Sequence, residues 1–177
     1  MRQFKGGARI LLTALSYGEP WIMTADNITE PKLDPAFVEK LYEEAMALVR
    51  ETATYLGVIG SAGHATIAEE VRSAFTGESL RLTTQLLQVV SWLLAQRAVS
   101  GGEITMVEAL SPQRRLSGRD ICLGDPLIDT ARLPVELAIL LHRSRHLYER
   151  VERLEGQLLA GQPPLNPLDT LLSRLKR

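Results

Sequence analysis

The fold turns on one stretch, Gly77-Glu78-Ser79-Leu80-Arg81-Leu82-Thr83-Thr84-Gln85-Leu86-Leu87-Gln88-Val89-Val90-Ser91-Trp92-Leu93-Leu94-Ala95-Gln96-Arg97-Ala98-Val99. Leu80, Leu82, Leu86, Leu87, Val89, Val90, Leu93 and Leu94 recur in it, and at helical spacing they cover nearly half the circumference of a helix. A helix lying on a bundle surface needs only a narrower apolar stripe. This segment is therefore expected to pack against two neighbours at once. It reaches back to about residue 66, with Ile67, Val71 and Ala74 along one face. Gly77 is a weak point expected to bend it, at about 1 kcal/mol relative to alanine. Gly101-Gly102 stops it.

Two further helices flank this one. Asp34-Pro35 is a helix start: aspartate caps free N–H groups, and proline at the first helical position sacrifices no needed donor. Phe37, Leu41, Ala45, Leu48, Thr52 and Tyr55 follow at helical spacing, with Glu39, Lys40, Glu43, Glu44 and Glu51 mostly opposite. Gly57, Gly60 and Gly63 are expected to end it. The third helix begins at Pro134, and its stripe runs through Leu137, Leu140, Leu141, Ser144, Leu147, Tyr148, Val151, Leu154 and Leu158. Between the second and third helices, residues 103–133 hold a short helical signal near Thr105–Leu110 and then no sustained period. A connection this long often carries function. No segment alternates as a strand would. The expectation is an all-α protein: an antiparallel three-helix bundle (helices about 36–56, 66–99 and 134–159) with a long second-to-third connection and flexible termini. The bundle occupies 34–160, preceded by an extension over 1–33, in which Met23 is an alternative start to Met1, and followed by a tethered tail over 161–177.

Composition narrows the class. Of 177 residues, 45% are apolar and 23% charged, which suits a globular domain that buries a core without staples. A net charge of -1 gives no global attraction to nucleic acid. A single cysteine, Cys122, forms no intrachain disulfide and fits a cytoplasmic protein. No apolar run approaches the roughly 20 residues a membrane span needs. The stretch Ile10–Leu15 is short for a signal peptide and lacks a small-x-small cleavage site after it. The chain thus reads as soluble and without a membrane partner.

Catalytic patterns are scarce. The 57-60-63 glycines follow a helix, not a strand, and no Lys-Ser or Lys-Thr pair follows them, so phosphate-cradling geometry is missing. His142 and His146 have a metal-chelating spacing, with Glu149 close by, but Arg143, Arg145 and Arg150 crowd the same face and oppose a cation. Cys122 has no evident base. No catalytic residue, cofactor or metal is expected, and the protein is read as a non-enzyme. Arg143, Arg145, Arg150 and Arg153 alternate with Glu149, Glu152 and Glu155, which repel phosphates, so no nucleic-acid partner is expected. A helical DNA-binding transcriptional regulator is the competing reading.

Two features exceed what a bundle requires. Arg81, Gln85, Gln88, Trp92 and Gln96 project from one side of the second helix; a tryptophan among uncharged polar groups suits the centre of a protein interface. The alternative is that the 103–133 segment covers Trp92. In the tail, Leu168, Leu171, Leu172 and Leu175 have helical spacing beside Arg174, Lys176 and Arg177, separated from the bundle by prolines. A tethered amphipathic helix of this kind docks on another protein, across a dimer or back on its own bundle.

The run from Glu78 to Val99, with Gly102-Glu103-Ile104-Thr105 after it, resembles the alphaproteobacterial "regulator of CtrA degradation" family, RcdA. Arg81-Leu82-Thr83-Thr84 and Ser91-Trp92-Leu93-Leu94 are the most specific parts; Leu41–Val49 and Glu51–Leu56 of the first helix also match, and the likeness covers about residues 36–156. The resemblance implies a homodimeric three-helix bundle without enzymatic activity. It further implies an adaptor that helps deliver substrates, including cell-cycle transcriptional regulators, to the ClpXP protease, together with a response-regulator-like primer. It also implies a mobile C-terminal tail that matters for delivery.

Overall fold

The computed structural model describes residues 32–62 and 69–161. Every regular element in them is helical: α1 (Pro35–Ala62), α2 (Glu69–Ser100), α3 (Met106–Ala109), α4 (Arg119–Cys122), a 3-10 turn (Thr130–Arg132) and α5 (Val135–Leu159).

Local chemistry sets the ends. Asp34 Oδ1 accepts the Ala36 N–H at 3.1 Å at the start of α1. α1 does not stop at Gly57 but runs on to Ala62. A glycine inside a helix costs about 1 kcal/mol, too little to end one without another break. Thr105 caps α3 in a reciprocal box: its hydroxyl accepts the Glu108 N–H while the Glu108 carboxylate accepts the Thr105 N–H. Pro134 caps α5.

The core is apolar and lies between α1, α2 and α5. Leu41, Ala45 and Leu48 of α1, Leu82, Leu86, Val89 and Leu93 of α2, and Leu137, Leu140, Leu147 and Val151 of α5 are all buried in it. Helix direction follows from cross-helix pairs. Glu39 near the start of α1 meets Arg97 near the end of α2 at 3.0 Å. Glu44 and Glu51 meet Arg150 and Arg143, at 2.8 and 2.6 Å, in reversed order. α1 is thus antiparallel to both other long helices. Gln85 meets Ser144, and the side chain of Trp92 lies by Glu155, so α2 and α5 run in the same direction. The expected antiparallel order is corrected at this point. Parallel neighbours cannot be joined by a tight turn, so the chain from Gly101 must travel back along α2 before α5 can start. That distance is about 36 Å at 1.5 Å per residue, and it accounts for the long connection.

Candidate protein-contact surface

The returning connection lies along α2 as a strap. Irregular backbone cannot satisfy its own N–H and C=O groups, and each one buried unpaired costs free energy. α2 supplies partners at helical spacing. Gln88 Oε1 accepts the Ser117 N–H at 3.1 Å. Gln85 Nε2 donates to the Cys122 carbonyl at 2.6 Å. Arg81 donates to the carbonyls of Gly124 and Asp125 at 2.6 and 2.7 Å. Glu78 accepts the Leu127 N–H at 2.6 Å and holds Arg81 Nε at 3.2 Å. The strap presses on α2 at one glycine: a Cβ on Gly77 would stand 2.3 Å from Leu127 Cδ1. Within the strap itself, a Cβ on Gly124 would stand 2.3 Å from the Asp120 carbonyl, so the turn after Cys122 is tight. Gly77 therefore marks where the strap crosses α2.

α5 holds the other edge. Glu155 accepts the Leu116 N–H at 2.9 Å, Tyr148 donates to the Ser117 carbonyl at 3.2 Å, and Arg145 donates to the Leu123 carbonyl at 3.0 Å. Burial raises Glu155 above the ordinary carboxylate range, against the pull of the Leu116 N–H. The Trp92 indole N–H sits near this carboxylate without completing a hydrogen bond. Cys122 is fully buried, and burial raises its thiol, which keeps it protonated and a poor nucleophile.

The sequence-predicted face is thereby relocated. Gln85, Trp92 and Gln96 are each about 1% exposed, and Arg81 and Gln88 are half-buried against the strap. These five residues are not an open surface: Arg81, Gln85 and Gln88 are bonded to the 103–133 segment through their polar ends, and Trp92 and Gln96 are buried. Gln96 is the exception within the row. It lines a cavity of about 130 Å³ between the start of α1 and the end of α2, and its Nε2 finds no partner. Leu168, Leu171, Leu172 and Leu175 lie outside the described residues. Arg97 is exposed and stacks 4.4 Å over the Tyr42 ring while pairing with Glu39.

Between Ser73 and Leu94 α2 exposes an uncharged face that carries three leucines. Leu80, Leu87 and Leu94 are 66%, 67% and 47% exposed. The exposed residues of α2 from Ser73 to Leu94 are Ser73, Thr76, Leu80, Thr83, Leu87, Ser91 and Leu94, and none carries a charge. Their steps of three and four residues are those of a coiled-coil seam. Thr76 and Thr83 turn their hydroxyls back to carbonyls of their own helix, Arg72 and Ser79, at 3.1 Å each, which satisfies the polar atom locally. The exposed sides of α1 and α5, by contrast, are laced with ion pairs. The seven-residue spacing of the three leucines was visible in the sequence. It was absorbed into a broad apolar arc assigned wholly to the core.

Among the described residues, no helix is long and apolar enough to cross a membrane, and no group of three His, Cys, Asp or Glu side chains could hold a metal ion.

Comparison with known proteins gives these features a family. A family model described as a protein of unknown function, DUF1465, matches residues 29–177. The solved structure of RcdA from Caulobacter crescentus CB15 is similar: 34% identical, covering 74% of this chain and 96% of that one, with a TM-score of 0.56. No curated protein matches. With a family match that spans most of its length and a relative 34% identical over nearly all of that relative's chain, this protein belongs to the RcdA family.

Proposed function

We propose that this protein is a non-enzymatic adaptor that acts through protein contacts, and that it helps present cell-cycle transcriptional regulators to the ClpXP protease, with a response-regulator-like primer as co-partner. The observation that carries the reading is the uncharged leucine face of α2. An exposed apolar seam is costly in water and gains free energy when covered by protein. The likeness to RcdA supports regulated proteolysis as its setting.

The adaptor is a cytoplasmic homodimer, and the α2 seam is its self-contact. Two copies of α2 laid antiparallel about a two-fold axis at Leu87 would set Leu80 of each against Leu94 of the other, as an isologous interface demands. The tail leucines Leu168, Leu171, Leu172 and Leu175 supply a further contact, to cargo or protease; their helical spacing supports it.

Two measurements test this. Sedimentation of the full chain against Leu87→Asp should show a dimer converted to monomer with the helical content intact; a parent monomer at all concentrations rejects the self-contact. Co-purification with a proteolytically inactive ClpXP should enrich the protease or its regulators. No enrichment, combined with DNA affinity that falls steeply with salt, would instead identify a DNA-binding regulator.

A further inference from the structure

We propose that His142 and His146 of α5 form a two-ligand site for a first-row divalent transition ion, with Zn2+ and Ni2+ as the probes that define it. The two rings stand edge to face, their centroids 4.3 Å apart at 72°, and their Nε2 atoms are 3.0 Å apart. With metal–nitrogen bonds of about 2.0–2.1 Å, nitrogens at that separation subtend about 91–97° at a shared ion. That is the angle of adjacent positions in octahedral or square-planar coordination. Widening the gap to about 3.35 Å gives the tetrahedral angle. Both rings are on the exposed side of the helix, so the remaining positions are open to water. Among the described residues no third histidine, cysteine or carboxylate completes the set, so the chain itself contributes two ligands.

Two surrounding features favour the ion. The Glu149 carboxylate lies 3.6 Å from His146 Nδ1, beyond hydrogen-bond reach but close enough to place a negative charge beside the pair of rings. The three arginines that crowd this face in the sequence are each engaged by a carboxylate: Arg143 by Glu51 at 2.6 Å, Arg145 by Glu149 at 3.2 Å and Arg150 by Glu44 at 2.8 Å. Their charges are offset at close range, so the repulsion that argued against a cation from sequence is largely cancelled. The site is independent of the α2 seam and of the adaptor reading.

The test is calorimetric titration of the untagged, metal-free full chain with ZnCl2 and, separately, NiCl2. One ion per chain should bind. His142→Ala and His146→Ala should each weaken it by more than about tenfold, and Glu149→Gln by up to about tenfold. His64→Ala should leave it unchanged, and circular dichroism should show the same helix content in every variant. Binding that survives the His142→Ala/His146→Ala double substitution, or no saturable binding by the parent chain, overturns the proposal.

Discussion

The two sides of α2 divide polarity in opposite senses. One carries Glu78, Arg81, Gln85 and Gln88 and is covered; the other carries Leu80, Leu87 and Leu94 and faces solvent. Burying polar groups is unfavourable unless each finds a partner, and here the strap's own unpaired backbone provides one for each. Exposing leucines is unfavourable unless something covers them, and nothing in the described chain does. The covered side is therefore satisfied within the protomer, whereas the open side is the one proposed above to be covered by a second copy.

Substitutions on the two sides should separate stability from assembly. The largest effect is expected at Trp92→Ala, which would leave a cavity in the core and cost about 3–5 kcal/mol in denaturant unfolding. A loss below about 1 kcal/mol would mean that Trp92 is not packed under the strap. Arg81→Met should cost about 3 kcal/mol, because it takes the donor from the Asp125 carbonyl, leaves the Gly124 carbonyl only the longer Arg145 contact at 3.3 Å, and leaves Glu78 buried without its counter-charge. Hydrogen exchange of residues 122–127 should rise in that variant more than exchange in α1.

Glu155→Gln gives a smaller effect with a defined sign. The folded state raises Glu155 above its ordinary value of 4.5 through burial, so the native protein holds that proton more tightly than the unfolded chain. Its contribution is then most favourable below the unfolded value and declines as pH rises towards the raised folded value. Glutamine keeps an acceptor for the Leu116 N–H without the buried charge. The variant should match or exceed the parent at pH 7 and lose that decline; a less stable variant at pH 7 would contradict the account. The smallest effect on folding is expected for Leu80→Gln and Leu94→Gln, within about 0.5 kcal/mol in dilute protein. A larger loss measured on monomer would place these leucines in the fold rather than at an interface.

Much of the architecture was legible. The helix starts at Asp34 and Pro134, the three long helices and the apolar rows of α1 and α5 are local signals, each set by a few neighbouring residues, whereas the reciprocal cap at Thr105 was not read from the sequence. The candidate surface was less legible. Periodicity sorts residues by angle around a helix and cannot say which angles the rest of the chain will cover. On α2 both sides of the core arc were chemically ambiguous, one polar with a tryptophan and the other apolar with threonines. The glutamines and Trp92 suited an interface, and only the path of residues 110–127 shows that Gln85 and Gln88 serve the strap and that Trp92 is buried.

By itself the sequence determined the helical class, because the apolar spacings and caps are local, and it held the residues that mark the chain as RcdA-like. The tertiary structure alone decided that α5 runs parallel to α2, that the connection must therefore return along the helix, and that its unpaired backbone turns the polar row of α2 inward. Those outcomes depend on groups far apart in sequence meeting in space, such as Gln85 with Ser144, Arg81 with Gly124 and Glu78 with Leu127. With that side committed to the strap, the leucines of the opposite side are left facing water.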